Sequence, residues 1–336
     1  MDHIQLRDSI ERELDGNLLP FWRERSFDHR GGGFVAEMAL DGTIGRETPR
    51  GLILNARLLW TFSALYRERG DVRDLLLARR AYAYIEGFFR DRRHGGYMWR
   101  LGPDGSALDR TKKIYGQAFC IFALSEYYRA TGEDGALRSA RSLFDAVERY
   151  AYDPRFGGYI EVLAEDWSES KDLRLGDQDM DVAKSMNNHL HLLEAYTNLY
   201  RVWRGALVAD RLRELISLFG RRLRAPSGHF NLFFDGDWKI RSDSYTYGHD
   251  IEGAWLLYEA AETLGDAALL DTVSGWGIET AHSVAEEALD PEGGLAYEGR
   301  NGIVIDPGRV WWAQAEAVLG FWHAYRITGD ERYAGI

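Results

Sequence analysis

The sequence is poor in cysteine, has no long apolar run and carries no excess of positive charge. A single cysteine, Cys120, in 336 residues excludes an intrachain disulfide framework and fits a reducing, cytoplasmic setting. Its neighbours, Ala118, Phe119, Ile121 and Phe122, make it a packed core thiol rather than a nucleophile. No apolar stretch approaches the ~20 residues of a membrane span. The start, Met1-Asp-His-Ile-Gln-Leu-Arg7, has neither a basic nor an apolar leader region, so no signal peptide is expected. Lys+Arg 41 against Asp+Glu 53 leaves a net charge of −12, spread along the chain, which argues against a nucleic-acid or anionic-membrane partner. No glycine-rich dinucleotide motif is present, and no cofactor is expected.

Aromatic residues, by contrast, are plentiful: 11 Trp, 18 Tyr and 15 Phe, 13% of the chain. They fit either a large helical core or a pocket for ligands whose apolar faces stack on rings. The length allows two ordinary domains or one large repetitive one, and an internal repeat decides for the second. A tyrosine closing a helical run is followed by glycine, usually with an acid after it: Tyr66…Gly70-Asp71, Tyr128…Gly132-Glu133, Tyr200…Gly205, Tyr258…Gly265-Asp266 and Tyr325…Gly329-Asp330. Each glycine is expected at a helix C-terminus in the left-handed conformation, and each acid at the next N-terminus. Alternating with this mark are loops such as Asp28-His-Arg-Gly-Gly-Gly-Phe34, Asp91-Arg-Arg-His-Gly-Gly-Tyr97, Asp153-Pro-Arg-Phe-Gly-Gly-Tyr159, Ser227-Gly-His-Phe230 and Asp290-Pro-Glu-Gly-Gly-Leu295. The stretches after them read as short hairpins.

One unit is therefore an inner helix, a tight turn, an outer helix and a Gly-Gly loop. Helices are expected at roughly 5–24, 50–69, 73–90, 112–131, 134–150, 181–203, 206–223, 249–264, 266–288 and 310–328. Thr48-Pro49 reads as a helix start, with N-cap and first-turn proline. Such pairs bury their apolar faces on neighbours in a toroid. The expected fold is all-α, an (α/α)6-barrel-type toroid forming one domain over 1–336. Asp330-Glu-Arg-Tyr-Ala-Gly-Ile336 opens an eleventh helix, so most of the last pair is expected to be missing and the domain C-terminally incomplete.

The chemistry concentrates on the inner helices. In Ser244-Tyr-Thr-Tyr-Gly-His-Asp-Ile-Glu-Gly-Ala-Trp255, residues His249, Glu252 and Trp255 step by three and form one slanted stripe. A histidine at a helix N-terminus suits a neutral imidazole for proton transfer; a capping histidine beside a core tryptophan is the plain alternative. His189 and His191 lie about 200° apart on a helix of ~3.6 residues per turn, so they do not share a metal. Asn187 and His191, four apart, share a face as a polar substrate contact or a satisfied core pair. Arg57 sits among Leu52, Ile53, Leu54, Leu58, Leu59 and Trp60 and is expected to need a partner. Trp312 and Glu316 share a face and repeat the pairing of Trp255 with Glu252, which predicts a common cavity. Tyr115 opens another inner helix towards the same end. His3, His29, His94, His229, His282 and His323 lack such settings and are expected to be surface or structural residues.

Taken together, Asn55-Ala-Arg57, Lys184-Ser-Met-Asn-Asn-His-Leu-His191, Tyr247-Gly-His-Asp-Ile-Glu252 and Trp311-Trp-Ala-Gln-Ala-Glu316 resemble the N-acylglucosamine 2-epimerase family, and within it the cellobiose-acting branch. Gly157-Gly-Tyr-Ile-Glu161 with Asp166-Trp-Ser168 resembles that branch as well. The resemblance runs from about residue 5 to the end. It implies a barrel of six helix pairs and a metal-free isomerase, an epimerase that inverts C2 of the reducing-end glucose of β-1,4-linked disaccharides through a cis-enediolate. Cellobiose would give glucosylmannose, and lactose epilactose. His249 would then be an acid/base assisted by Glu252, and Arg57 would stabilise the enediolate oxygen. Trp255, Trp312 and Glu316 would hold the disaccharide, with Tyr115, Asn187 and His191 on the reacting sugar. The family's second catalytic histidine, in a Tyr-His-Asn-Ser-Arg-like motif on the last inner helix, has no counterpart here. His191 is the only other candidate, and activity of the chain as it stands stays open. An N-acylglucosamine 2-epimerase, a mannose isomerase, a hydrolase using Glu252 with Glu316, and an inactive sugar-binding fragment are the alternatives. A homodimer is left open.

Overall fold

Four of the five repeat glycines end a helix in the left-handed region, where a side chain would be strained: Gly70, Gly132, Gly265 and Gly329, at φ between 68° and 72°. Asp71, Asp266 and Asp330 follow as N-caps that accept backbone N–H bonds at 2.9–3.1 Å. Gly205 departs from the expectation. The preceding helix already stops at an extended Trp203, and Gly205, at φ −69°, is the N-cap of the next helix.

A computed structural model describes residues 3–29, 31–45, 47–176 and 180–336. It divides into two compact units, Met1–Tyr152 with Val162–Leu175, and Asp153–Glu161 with Gly176–Ile336. The first unit holds α1 (His3–Glu13), α2 (Leu19–Arg25), α3 (Leu52–Arg69), α4 (Val72–Tyr84), α5 (Ile114–Thr131) and α6 (Asp134–Tyr150). Within it α3 packs on α5, α4 folds back on α3, and α6 on α5. The second unit holds α7 (Met186–Val202), α8 (Ala206–Leu218), α9 (Tyr247–Leu264), α10 (Ala267–Ala288), α11 (Trp311–Thr328) and the short α12 (Glu331–Ala334). Here α9 lies between α7 and α11, with α10 returning along it.

Burial follows composition. Helix α6 buries one stripe, Ala136, Ala140, Leu143, Phe144 and Val147, as an outer helix does. Helix α9 is buried nearly all round, from Tyr247 and Ile251 to Leu256, Leu257 and Ala261, because helices flank it on several sides. Its neighbours in the core include Val284, Leu295, Ala313 and Phe321.

Three inner helices begin later than their apolar pattern, because the residues before them are strands. Arg50–Gly51, Lys112–Lys113 and Lys184–Ser185, like Tyr245–Thr246, each pair with an arm of a hairpin from further along the chain. Thr48-Pro49 is therefore not a helix start: α3 begins at Leu52 after an extended Gly51, and the Thr48 hydroxyl donates to Glu37. Before four of the inner helices a cation stands two residues ahead, within reach of a loop aspartate: on the strands Arg50 of Asp28, Lys112 of Asp91 and Lys184 of Asp153, and on a loop Arg309 of Asp290. The fourth residue of the helix then accepts the N–H of the residue that follows the glycines: Gln117 from Tyr97, His189 from Tyr159, Asp250 from Phe230 and Gln314 from Leu295, at 2.8–2.9 Å. These latches tie each Gly-Gly loop to the start of its inner helix.

Candidate active site

Helix α9 carries His249 in its first turn, and two contacts fix the ring. The Thr246 Oγ1 lies 2.5 Å from Nδ1. The Trp312 ring packs against the imidazole with centroids 4.7 Å apart and a 49° tilt, and Tyr297 stands edge-on to Trp312 at 6.3 Å. Gly248 permits this approach, since a Cβ there would sit 2.7 Å from the Trp312 ring and 2.8 Å from the Ala313 Cβ. Burial, and the charge His191 would add, hold His249 down to about 3, so its imidazole is neutral near pH 7. A corner of the residue still reaches the surface. A neutral, reachable imidazole presents a lone pair to a ligand, and any anionic or hydrogen-bond-accepting group a ligand brings beside it would raise its basicity.

His191 on α7 faces the same helix. Its Nδ1 is 3.0 Å from Glu194 Oε2, and its Nε2 is 3.9 Å from Glu252 Oε1. The stripe His249–Glu252–Trp255 exists as expected, but Glu252 reaches His191. The indole–acid pairs also cross between helices. Trp255 Nε1 donates to Glu316 Oε2 at 2.9 Å, while Trp312 packs at a tilt against His249. Asn187 Oδ1 is buried with no hydrogen-bond partner among the described residues, which suits a contact to an incoming hydroxyl. His189, one turn-face away, is spent on structure: Nδ1 meets Ser185 O at 2.7 Å and Nε2 accepts from Tyr159 N–H at 2.9 Å, and burial holds it down to about 4.

Arg57 and Tyr115 belong to the first unit. Arg57 is exposed, because α3 turns that position outward while Leu58 and Leu59 are buried, and the partners it finds are an aromatic ring and a hydroxyl, not a buried carboxylate. Its guanidinium lies 4.4 Å above the Phe119 ring, and its N–H is 3.5 Å from the Tyr115 hydroxyl, too long to hold it firmly. Tyr115 is half-buried, edge-on to Phe119 at 4.9 Å.

Sequence reasoning missed Thr246, Glu194 and Tyr297. The first two lie three residues from His249 and His191, a visible helical spacing; Tyr297 arrives from a hairpin and left no local signal. His229, expected to be a surface or structural residue, is structural: it is 1% exposed and bonded to Asp250. His323 is structural, edge-on to Tyr258 at 4.4 Å. The side chain of His3 lies outside the described residues. Among the described residues no group of three or more His, Cys, Asp or Glu is placed to hold a metal ion, and no helix is long and apolar enough to cross a membrane.

Helix pairs that present a neutral imidazole, a second imidazole between carboxylates and two indoles define an acid–base site on an all-α scaffold. The sequence model of the N-acylglucosamine 2-epimerase (GlcNAc 2-epimerase) family matches residues 32–336. The chain is similar to the cellobiose 2-epimerase of Bacteroides fragilis, 41% identical over 333 residues, covering 98% of this chain and 84% of that one. It is also similar to the cellobiose 2-epimerase of Ruminococcus albus, 35% identical, covering 96% and 82%. Among solved structures, the cellobiose 2-epimerase of Bacillus thermoamylovorans superposes with a TM-score of 0.92 at 34% identity, covering 98% of this chain and 84% of that one. The chain belongs to the N-acylglucosamine 2-epimerase family. It is an enzyme of the epimerase class, an isomerase, and its fold is all-α, of the (α/α)6-barrel type.

Proposed function

We propose that this protein epimerises C2 of the reducing-end glucose in β-1,4-linked disaccharides, turning cellobiose into glucosylmannose and lactose into epilactose. The observation that carries the reading is the neutral, desolvated His249 wedged between Thr246 and Trp312 on a chain 41% identical to a cellobiose 2-epimerase. The proposed setting is cytoplasmic.

In the opened sugar the C2 proton is acidified by the C1 carbonyl. In the tautomer whose Nδ1–H donates to Thr246 Oγ1, 2.5 Å away, the His249 Nε2 lone pair is free to take or return that proton. Removal leaves a cis-enediolate, and return of a proton to the opposite face inverts C2, so no oxidant or reductant is consumed. His191, oriented by Glu194 at 3.0 Å and faced by Glu252, is assigned to the reacting sugar together with Asn187. Glu252 assists the histidines electrostatically. Trp255, oriented by Glu316, and Trp312 offer apolar faces to the pyranose rings. The roles of Arg57 at the enediolate oxygen and Tyr115 at the sugar rest on the family motif.

Incubation with cellobiose in heavy water, followed by proton NMR, tests the reading. Deuterium at C2 with a manno product is expected, and His249→Ala is expected to abolish exchange. Free glucose would point instead to hydrolysis, a ketose to aldose–ketose isomerisation, and substantial exchange in His249→Ala would overturn the role of that residue.

A further inference from the structure

Set side by side, the repeat latches show one that is built differently. In the loop at Asp91 the carboxylate comes from the loop and the ammonium from the strand: Lys112 is fully buried, 2.7 Å from Asp91, and the Trp167 ring lies over it at 5.9 Å. The loop at Asp153 repeats this with Lys184 at 2.7 Å and Trp238 at 4.8 Å. In both, the tryptophan occupies a left-handed hairpin tip and lies where the Cβ of the second loop glycine, Gly96 or Gly158, would be 2.5 Å from its ring.

The repeat that bears His249 exchanges every one of these parts. The loop position of the aspartate is Ala225, the second glycine is His229, the strand lysine is Tyr245, and the hairpin tip is Asn301. The His229 imidazole fills the place of the tryptophan, stacked on Tyr245 at 3.7 Å between centroids and 4° between planes. The carboxylate now comes from the helix. Asp250, fully buried and next to His249, accepts from His229 at 2.7 Å and from Phe230 N–H at 2.8 Å. On the other side of the ring Nε2 is 3.2 Å from Glu287 Oε2 of α10. Glu287 in turn accepts from the Tyr245 and Tyr247 hydroxyls at 2.9 and 3.3 Å.

We propose that His229 and Asp250 form a positioning latch that sets where His249 stands, and that this latch works with the imidazole doubly protonated. The inference rests on the reading of His249 as the acid/base. Asp250 is the residue after His249, so a shift of its carboxylate turns the first turn of α9, and with it the ring between Thr246 and Trp312. The groups facing His229 are Asp250 from α9, Glu287 from α10, and the Tyr245 and Tyr247 hydroxyls bound to Glu287. Burial opposes a charge on His229, but the bond and charge of Asp250, with the Glu287 carboxylate 3.2 Å from Nε2, outweigh it and raise its pKa above the ordinary 6.5. As pH rises through that raised value, Nε2 loses its proton and turns a lone pair on the Glu287 carboxylate, which loosens the latch.

The test is steady-state kinetics with cellobiose across pH, on His229→Gln and Glu287→Gln, with thermal unfolding to check the fold. His229→Gln is expected to lower kcat about ten- to hundredfold with KM within about twofold, and to lose the alkaline fall of kcat. Glu287→Gln keeps the Asp250 bond and is expected to move that fall to lower pH, so it decides the matter if His229→Gln does not fold. Native kcat and an unchanged pH profile in either folded variant would overturn the latch. If the native protein exchanges no C2 proton, the epimerase reading fails, and the latch is read from the His249 Cε1–H NMR signal. A displaced signal in His229→Gln supports it, and an unchanged one overturns it.

Discussion

A neutral histidine at the head of a helix is useful only if neighbours keep it in place, and at His249 each neighbour constrains a different freedom. Thr246 anchors Nδ1, Trp312 fixes the ring plane, and Gly248 lets α9 and α11 approach closely enough for that packing. Gly248→Ala should therefore push Trp312 off the imidazole. A loss of about 1–3 kcal/mol in urea unfolding is expected from overpacking, together with slower C2 exchange; native stability and rate would mean that the contact gives way freely. Direct observation of charge is also available. With His249 held to about 3, its Cε1–H NMR shift should stay at the neutral position as pH falls from about 8 to 5, whereas an ordinary imidazole titrates in that window. An inflection near 6.5 would contradict the desolvated setting of His249, though it would leave an imidazole well matched to proton transfer near neutral pH.

At the scale of the element, the repeated unit is a helix start tied to a loop by a charge pair and by a helix side chain that accepts a backbone N–H of the loop. Lys112 and Asp91 are both almost completely buried, and Asp91 also accepts the N–H groups of Arg93 and His94. Breaking such a pair from one side leaves a charge without a counter-charge, which costs about 3–5 kcal/mol. Lys112→Met is expected to lose that much in urea unfolding, and the further change Asp91→Asn to recover part of it. A loss below about 1 kcal/mol, as for an exposed pair, would show that the latch contributes little.

For the whole molecule, these buried histidines predict how stability depends on pH. His189, His249 and His323 are held down to about 4, 3 and 4 in the folded chain by burial, whereas in the unfolded chain each titrates near 6.5. Between those values the unfolded state binds more protons, so stability falls as pH falls below about 6.5. At pH 5 the difference is about 2 kcal/mol for each fully shifted histidine. His229 acts in the opposite sense, but its contribution is complete below 6.5 and is lost only as pH rises through its raised value. Asp91 and Asp153, held below 3.8 because their lysines and backbone donors outweigh burial, add a further loss only as pH falls through that lower range. The urea midpoint should therefore decline steadily from about pH 6.5 to 5, with proton uptake on unfolding. A flat midpoint across that interval would contradict the histidine assignments.

The spacing of tyrosine, glycine and acid determined the helix pairs, because a left-handed glycine and an N-cap act within a few residues and leave their mark locally. The step of three from His249 to Glu252 to Trp255 determined one functional face for the same reason. Side-chain partners from other elements were not legible. Glu252 meets His191, Trp255 meets Glu316, and Trp312 covers His249 only because α9 packs between α7 and α11. Arg57 sits among apolar neighbours in sequence, yet adjacent helical positions face different ways and only the packing of α3 says which is outside. His229 looked idle, since its partners Asp250 and Glu287 lie 21 and 58 residues along the chain. Local patterns carry local conformation; the proximity of distant charges exists only once the helices have packed.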